Sequence, residues 1–550
     1  MELEHRRRFP DPGQGGIVSM IDGSMQDYPL TLDRFLHHAA KWHPAAEVVT
    51  AGAAGTAGRT GYASLERRAR LVSALLADYG VGVGDRVATL AWNTQAHVEA
   101  WYAIMGIGAA CHTLNPRLTA VQLAAMIRQS EARILIVGGD LLPLAREIAA
   151  LAATVDRLLV IDGPVPPAES GTLVIQVLDD LLDHDRPTPA WGNFDERTPS
   201  GLCFTSGTTG APKGVTYTHR SSFLHTLRML QADVMAISHA DAVLAAVPMF
   251  HANAWGLPFA VPAVGGKLVL PGRQIDGASL ARLIREEAVT IAVGVPTVWL
   301  GLVEHLDATG EDVPGLKRII VGGAPMAPAL MDRLEQRLGA TVQTSWGMTE
   351  LSPSGTFAVP GDPARSAASA GRPAIGVDLL LTDIDGAALL EQRGVEGHLR
   401  VRGAAVVERY FGHDDAATDA AGWFPTGDLA RIDDAGNLFI TGRAKDLIKS
   451  GGEWINPAEI EGVVSAMPQV SLAAVIARAD VKWGERPILV VELREGEDVA
   501  DETLLAALRG RVASWWIPDA IVRLAAMPLA ATGKIDKLRL RDEHGRAPMA

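Results

Sequence analysis

The stretch TSGTTGAPKG at residues 205–214 has the composition of a loop that holds phosphate. Glycines let backbone N–H groups approach an anion closely, hydroxyls donate further hydrogen bonds, and Lys213 supplies a positive charge. The stretch differs from the common P-loop, because Lys213 lies between Pro212 and Gly214 and no Ser or Thr follows it. Strand-like residues at 202–204 and 215–217 predict a hairpin around it, without a helix N-terminus. The alternative is an ordinary surface loop rich in Gly and Thr, which the mixed chemistry of the stretch disfavours.

The bulk composition predicts a multidomain globular protein. A chain of 550 residues is too long for one core, and contents of 48% hydrophobic and 21% charged residues are those of a folded protein. A net charge of −14 argues against a nucleic-acid binder. Cys111 and Cys203 are too few for a disulfide framework or a zinc site, so we expect a reducing cytoplasm. No apolar run follows the arginines at 6–8, which excludes an ordinary secretory signal. The apolar window 244–270 is broken by prolines and predicts buried strands and loops, without a membrane span.

Strand-like and helical runs alternate over most of the chain. The strand-like runs are 86–91, 134–137, 243–247, 267–270, 290–293 and 317–321, and the helical runs include 65–79, 120–129, 278–287 and 328–338. This alternation predicts an α/β architecture with largely parallel sheets. A helix-then-strand pattern at 123–136 recurs at 280–293, so the large domain is expected to contain two similar α/β subdomains.

The composition of the sequence changes near residues 440–461, where charged residues and glycines cluster. Asn456, Pro457 and Glu459 then form a strong helix-start signal, with Asn as N-cap and Pro at the first helical position. Strand-like runs at 472–476 and 488–493, a helix from Glu502 and a final strand follow. A separate α+β domain of about a hundred residues fits this pattern.

Five further stretches carry chemistry together with the first: PMFHANAWG at 248–256, SWGMTELSP at 345–353, PTGDLA at 425–430, GRAKDLIKSGGEW at 442–454 and ATGKIDK at 531–537. In this order they resemble the adenylate-forming superfamily of acyl-CoA synthetases, luciferases and peptide-synthetase adenylation domains, from about residue 32 onward. HANAW and SGGEW are most similar to the medium- and long-chain fatty acyl-CoA ligase branch, including its methylthiopropionate-activating relatives.

The resemblance implies a domain organisation. A large N-terminal domain at 1–442 would hold the two α/β subdomains plus a β subdomain and bind ATP and the acyl group. A hinge at 443–446 would lead to a small, mobile α+β C-terminal domain at 447–550. Relatives of this branch suggest a cytoplasmic homodimer with at most peripheral membrane contact.

The resemblance also implies the reaction. ATP and a medium- or long-chain fatty acid would form acyl-AMP and pyrophosphate with Mg²⁺, and the thiolate of coenzyme A would then displace AMP. Adenylation gives the carboxylate a good leaving group, and the protein positions the reactants and neutralises phosphate charge. The rival readings are a CoA ligase for a short, aryl or methylthio-alkanoic acid such as 3-methylthiopropionate, and a non-catalytic nucleotide-binding homologue.

Site roles follow from the motifs that match. ATP would be held by the phosphate loop, the adenine walls and the residues beside them, namely Thr205, Ser206, Gly207, Thr208, Thr209, Gly210, Lys213, Gly322, Gly323, Ala324, Trp346, Gly347, Met348 and Thr349. Glu350, with Thr205, would bind Mg²⁺. Asp428 would accept hydrogen bonds from the ribose, Arg443 would lie near ribose and phosphate, and Lys445 would be the hinge. The CoA channel would be faced by Lys449, Gly451, Gly452, Glu453 and Trp454, for which a solvated charged loop is the alternative.

Four residues would act at the reacting atoms: Lys534, Glu350, Thr205 and His251. Lys534 would bridge the attacking carboxylate and the α-phosphate. His251 stands where amino-acid-activating relatives carry an aspartate, which argues against an α-amino acid substrate. Trp255 matches the tryptophan that gates the fatty-acid tunnel, with ordinary core packing as the alternative. Relatives usually carry Arg-Thr where this chain has Leu529 and Ala530, so we expect weaker contacts around the Lys534 loop.

Overall fold

The computed structural model describes residues 8–10, 17–19, 24–52, 57–163, 173–205, 212–451, 453–530 and 534–546. The α-helices of this part are α1 (Asp33–Trp42), α2 (Tyr62–Asp78), α3 (Gln95–Gly106), α4 (Ala120–Ser130), α5 (Leu142–Leu151), α6 (His219–Met229), α7 (Leu257–Val264), α8 (Gly277–Glu286), α9 (Pro296–Thr309), α10 (Pro328–Leu338), α11 (Pro457–Ser465), α12 (Asp501–Leu508) and α13 (Lys537–His544).

The strands fall into groups along the chain. The first are β1 (Arg8–Pro10), β2 (Ile17–Ser19), β3 (Glu47–Ala51), β4 (Ala57–Gly61), β5 (Arg86–Leu90), β6 (Ala110–Thr113), β7 (Ile134–Gly138), β8 (Arg157–Ile161), β9 (Val174–Val177), β10 (Pro199–Phe204) and β11 (Gly214–Thr218). The next are β12 (Ala242–Ala245), β13 (Lys267–Leu270), β14 (Ile291–Gly294), β15 (Arg318–Val321), β16 (Thr341–Gly347), β17 (Ser354–Phe357) and β18 (Arg372–Pro373). The last are β19 (Val377–Thr382), β20 (Glu396–Gly403), β21 (Phe424–Ile432), β22 (Leu438–Arg443), β23 (Ile448–Ser450), β24 (Glu453–Ile455), β25 (Val470–Asp480), β26 (Gly484–Leu493) and β27 (Ala520–Arg523).

Two large sheets dominate the described part of the chain. One has the strand order β11-β10-β6-β5-β7-β8-β9 and the other β18-β17-β16-β15-β14-β12-β13-β3-β4. The inner strands pair in parallel in both, for example β5 with β7 and β14 with β15, as the βα alternation predicts. The predicted repeat lies at equivalent places: α4 leads into β7, flanked by β5 and β8, and α8 leads into β14, flanked by β12 and β15.

Two smaller sheets follow. β19-β20-β21-β22 form an antiparallel sheet, and β24-β23-β26-β25, with β27 against β26, form the last one. The path passes from one to the other between Arg443 and Ile448. The predicted start of α11 is confirmed, because the Asn456 side chain accepts a hydrogen bond from the backbone N–H of Ala458. The α/β fold class with several sheets is therefore as expected.

The prediction of only strands and loops within 244–270 was wrong, because α7 occupies Leu257–Val264. Pro258 lies in its first turn, where its missing N–H costs nothing. Pro262 leaves the carbonyl of Pro258 without its helical partner, and the hydroxyl of Tyr102 donates to that carbonyl at 2.8 Å instead. A tertiary contact thus allows a helix that the prolines argue against.

The two parts of the chain meet through a few polar contacts. The Asn456 amide donates to the carbonyl of Thr441 at 2.7 Å, and Arg541 pairs with Asp446 at 2.7 Å. These contacts hold the last sheet against the end of β22. In the part of the chain that the structure describes, no helix has both the length and the apolarity needed to cross a bilayer.

Candidate active site

The strands around the phosphate-loop motif form the predicted hairpin. β10 and β11 pair antiparallel, with Phe204 opposite Gly214. At the base of the loop, the backbone N–H of Thr205 donates to the Lys213 carbonyl at 2.9 Å, and the Lys213 N–H donates to the Thr205 hydroxyl at 3.3 Å. Ser206, Gly207, Thr208, Thr209 and Gly210 lie outside the described residues.

Glu350 is tied to this hairpin by a residue that the motifs did not indicate. The Tyr410 hydroxyl donates to Glu350 Oε1 at 2.9 Å, and the Lys213 ammonium lies 4.7 Å from the centre of the Tyr410 ring. Glu350 is buried. Its carboxylate and the hydroxyl of Thr205 are hard oxygen donors of the kind that Mg²⁺ takes when substrate phosphates and water complete its shell. The residues therefore fit the ion.

Trp346, Asp428 and Arg443 form a compact group. Asp428 lies directly opposite Arg443 on the paired strands β21 and β22, and its carboxylate is 2.6 Å from the Arg443 Nε. The Trp346 indole N–H donates to the other Asp428 oxygen at 2.9 Å. Burial raises the pKa of the Asp428 carboxyl, while Arg443 and the indole N–H oppose the shift. One Asp428 oxygen thus contacts Arg443, which is predicted to lie near ribose and phosphate. The other contacts Trp346, which is predicted to lie against adenine.

Lys534 lies near these residues in space, although it is far from them in sequence. Its side chain is exposed to solvent, and desolvation by the neighbouring protein atoms lowers the pKa of the ammonium. Arg443 lowers the pKa further, while Asp428 and Glu350 oppose the shift. The structure therefore brings Lys534 within electrostatic reach of the predicted metal and ribose carboxylates.

Backbone bonds close the Lys534 loop. The N–H of Ala530 donates to the Lys534 carbonyl at 2.6 Å, and the N–H of Asp536 donates to the Pro528 carbonyl at 2.8 Å. The side chain of Leu529 contributes little, because 46% of it is exposed. We expected weaker contacts around the Lys534 loop because Leu529 and Ala530 replace Arg-Thr. Backbone hydrogen bonds nevertheless hold both ends of this loop.

His251 lies within electrostatic reach of Lys534, at the start of an unusual turn. Burial lowers the pKa of His251 to about 4, and the Lys534 charge adds to this. A neutral imidazole results at neutral pH. After it, Ala252, Asn253, Ala254 and Trp255 have φ angles of 45°, 53°, 46° and 53°. Left-handed helical backbone costs about 1–2 kcal/mol per non-glycine residue, so this turn stores strain beside the reacting atoms.

The turn places Trp255 against Gly322 and Gly323, two of the residues predicted to line adenine. A Cβ on Gly322 would lie 3.0 Å from Trp255 Cη2 and 2.5 Å from the Ser345 hydroxyl, and a Cβ on Gly323 would lie 3.8 Å from Trp255 Cζ2. Only glycine at 322 leaves room for both side chains. Val321 pairs with Thr344 on the neighbouring strands β15 and β16. The loop at 322–324, which follows β15, therefore also lies near Trp346 at the end of β16. The Trp346 ring packs on Gly355. The Trp255 ring therefore lies against Gly322 and Gly323, and α7 begins two residues later in the chain.

The residues assigned to the CoA channel form a separate hairpin, β23–β24. Lys449 pairs through its backbone with Glu485, and its ammonium lies 5.5 Å from the Trp454 ring centre. Gly451 has a φ of +60° and packs on Trp483. Within the described residues these contacts stay inside the last sheet, and none joins the Glu350 cluster. Gly452 lies outside the described residues.

Sequence reasoning missed a second group, beside Gly256 at the end of the turn formed by residues 252–255. The His225 ring lies 3.0 Å from the position of a Cβ on Gly256, and its Nε2 accepts a hydrogen bond from the N–H of Ser354 at 3.3 Å. Arg228 donates to the Ser354 carbonyl at 2.7 Å. The spacing of His225 and Arg228 on one face of α6 was the only available signal, and a polar pair on a helix usually faces water.

Comparison with known proteins agrees with this geometry. The AMP-binding enzyme model matches residues 36–411, and the AMP-binding enzyme C-terminal domain matches residues 459–534. The chain is 39% identical over 530 residues to a 3-methylmercaptopropionyl-CoA ligase of Ruegeria lacuscaerulensis, covering 95% of this chain and 98% of the relative. It is 38% identical over 532 residues to a medium-chain-fatty-acid–CoA ligase of Ectopseudomonas oleovorans, covering 95% and 97%.

Among solved structures, the ATP-bound MatB of Rhodopseudomonas palustris matches with a TM-score of 0.81 at 25% identity, covering 94% of this chain and 99% of that one. The matches confirm the family and the fold class predicted from the six motifs. They leave the individual site residues as predictions.

Proposed function

Because the chain belongs to the AMP-binding enzyme family and is an AMP-forming acid–CoA ligase, we propose that it activates a medium- or long-chain fatty acid and transfers the acyl group to CoA. The observation that supports this best is the group of Trp346, Asp428 and Arg443, joined by contacts of 2.6 and 2.9 Å, with Lys534 within electrostatic reach of Asp428 and Glu350. A short methylthio acid is the second candidate, favoured by the two 3-methylmercaptopropionyl-CoA ligases among the relatives.

In the first half-reaction, the acid carboxylate attacks the α-phosphate of ATP and pyrophosphate leaves. Lys534 is placed to balance the negative charge that builds between the two oxygens. Neutral His251 can donate a hydrogen bond to the carboxylate without neutralising it. Glu350 and Thr205 would hold Mg²⁺, which offsets the charge of the phosphates. Asp428 and Arg443 would orient the ribose, so that the reactants meet in line.

In the second half-reaction, the CoA thiolate attacks the acyl carbon and AMP leaves. We propose that residues 447–550 turn about the hinge 443–446, which withdraws Lys534 and presents the β23–β24 hairpin with Lys449, Gly451, Glu453 and Trp454. Support comes from the present arrangement, in which Lys534 occupies the cleft and the hairpin does not. Lys445, whose pKa burial lowers, lies at the pivot.

The setting of the enzyme follows from general features. We propose a cytoplasmic homodimer whose partners are ATP, CoA and the acid, with no nucleic acid and at most peripheral contact with membranes. The net charge of −14 supports the lack of a nucleic-acid partner. The free thiols Cys111 and Cys203 are both buried, which suits a reducing compartment.

Release of AMP with ATP, CoA and a panel of acids tests the proposal. The panel runs from acetate to palmitate and adds cinnamate and 3-methylthiopropionate. We expect activity to rise with chain length by up to ~0.8 kcal/mol per buried methylene and to peak at medium or long chains. A peak on acetate, cinnamate or 3-methylthiopropionate would overturn the assigned acid class, and acid-independent AMP release would overturn the ligase assignment.

A further inference from the structure

Tyr217 joins the hairpin of the phosphate loop to the turn that carries Glu350. It lies on β11, shortly after the stretch 205–214 ends, and is only 2% exposed. Its hydroxyl donates to the backbone carbonyl of Thr349 at 2.8 Å, although the two residues are 132 positions apart in sequence. Thr349 begins a 3-10 turn of three residues. The hydrogen bond therefore connects two elements that are both predicted to bind Mg-ATP.

The Tyr217 ring is fixed by close neighbours. Gly201 lies opposite Tyr217 on the paired strand β10, and a Cβ on Gly201 would be 3.4 Å from the Tyr217 Cδ2 and 3.5 Å from the Asn253 Nδ2. β10 itself is anchored by parallel pairing with β6. Burial also raises the pKa of the Tyr217 hydroxyl well above its ordinary value, so the hydroxyl keeps its proton and remains a donor. A rigid hairpin thus presents a fixed hydrogen-bond donor to the turn.

The Thr349 carbonyl depends mainly on this donor. Within the described residues, its other hydrogen bond comes from the N–H of Ser352 at 3.4 Å, which is longer than usual for such a bond. The next carbonyl, that of Glu350, accepts from the N–H of Val407 at 2.7 Å. Removal of the Tyr217 hydroxyl would therefore leave a buried carbonyl with one weak donor and free one side of the turn.

We infer that Tyr217 is a positioning residue that fixes the spacing between the phosphate loop and the turn of Thr349 and Glu350, so that both engage the same Mg-ATP. The inference rests on the proposed function, in which the loop holds phosphates and the turn holds ATP and the metal. A triphosphate bound at both elements requires a spacing that matches its length, and a displacement of about 1 Å can cost about 10²-fold in rate. Acyl-adenylate has lost the β- and γ-phosphates, so the second half-reaction does not need this match.

Tyr217→Phe removes the hydroxyl and keeps the ring. We expect the KM for Mg-ATP in acid-dependent pyrophosphate release to rise about 10-fold, the upper end for one hydrogen bond, while thioester formation from supplied acyl-adenylate keeps its wild-type rate. Tyr62→Phe is the matched control, because the buried Tyr62 hydroxyl also donates to a backbone carbonyl, that of Gly266, at 2.7 Å. It should lower the Tm to a similar extent and leave the KM for Mg-ATP unchanged.

Nucleotide affinity provides a second measurement that a general loss of stability does not change. AMP carries only the phosphate that remains in acyl-adenylate, whereas ATP also reaches the phosphate loop. In calorimetric titrations, Tyr217→Phe should bind Mg-ATP about 10-fold more weakly than the wild type and should bind AMP equally well. Because each dissociation constant is independent of the fraction of folded enzyme, this comparison still decides when the variant is obtained in low yield.

Two outcomes overturn the inference and leave the proposed function intact. In one, Tyr217→Phe weakens the binding of ATP and AMP equally, or slows both half-reactions equally, which would make the hydrogen bond a contribution to stability alone. In the other, ATP affinity and the KM for Mg-ATP equal those of the wild type, which would mean that other contacts fix the spacing. Absence of acid-dependent pyrophosphate release in the wild type would instead overturn the proposed function itself.

Discussion

Replacing Lys534 with Ala should separate the two half-reactions. In the structure, desolvation and the cations Arg443 and Lys445 lower the pKa of this lysine, while the carboxylates of Asp428 and Glu350 oppose the shift. Lys534 is thus free to meet charge that develops between substrate oxygens. Loss of one donor aimed at a developing oxyanion typically costs about 10²–10³ in rate, or about 2.7–4 kcal/mol. We expect adenylation to fall by this factor.

Two assays on the same variant check this. Acid-dependent pyrophosphate release reports adenylation, and conversion of supplied acyl-adenylate to thioester reports the second step, which should keep its wild-type rate. Lys317→Ala, at an exposed lysine, serves as the control. A parallel loss in both assays would refute the reasoning, since it would mean that Lys534 serves both steps or only stability.

The pH dependence has a definite sign. The lowered pKa means that Lys534 loses its proton at a lower pH than a free lysine. Adenylation should therefore decline as the pH rises through that lowered value, while thioester formation shows no such limb from this residue. Lys534→Arg keeps a charge that proteins do not titrate, so the variant should lose the alkaline decline. An unchanged alkaline limb in this variant would assign the titration to another group.

Three further variants test neighbouring parts of the site. Trp255→Ala should shift the chain-length profile and leave the KM for ATP unchanged. A lower Tm, corresponding to a stability loss of ~3–5 kcal/mol, with an unaltered chain-length profile would show that Trp255 only packs in the core. Lys449→Glu should slow thioester formation more than pyrophosphate release, and equal slowing would count against a reorienting domain. Tyr410→Phe removes the hydrogen bond to Glu350 and should raise the KM for Mg-ATP about 10-fold, with the acid KM constant; no change would separate Glu350 from the metal.

Local patterns determined much of the architecture. The runs at 267–270 and 328–338 coincide with β13 and α10, and other predicted runs end within a few residues of the observed elements. The hairpin around the phosphate loop and the Asn456 cap were predictable as well. Each depends on neighbours in sequence: side-chain period, turn residues and capping groups.

Motif chemistry also determined the reaction class, because a few residue types at short spacing suffice to hold phosphate and a metal. It named Lys534, Glu350 and Asp428 as partners only through resemblance. Strand pairing places Asp428 opposite Arg443, and contacts of later residues with β22, such as the Asn456 amide with the Thr441 carbonyl, bring Lys534 near them. Glu350, Asp428 and Lys534 are too far apart in sequence for a helix or strand period to show that they meet.

The tertiary structure alone decided four features. α7 forms despite Pro262 because Tyr102, distant in sequence, satisfies the Pro258 carbonyl. Tyr410 joins Glu350 to Lys213, the turn before Gly256 adopts left-handed backbone, and Arg228 is buried without a counter-charge. Each feature depends on contacts between residues that are distant in sequence and become buried together when the chain folds. The six motifs by themselves determined the family and its chemistry, whereas these four features arise only from long-range packing, because the free energy of burying a polar group depends on which partners the folded chain places beside it.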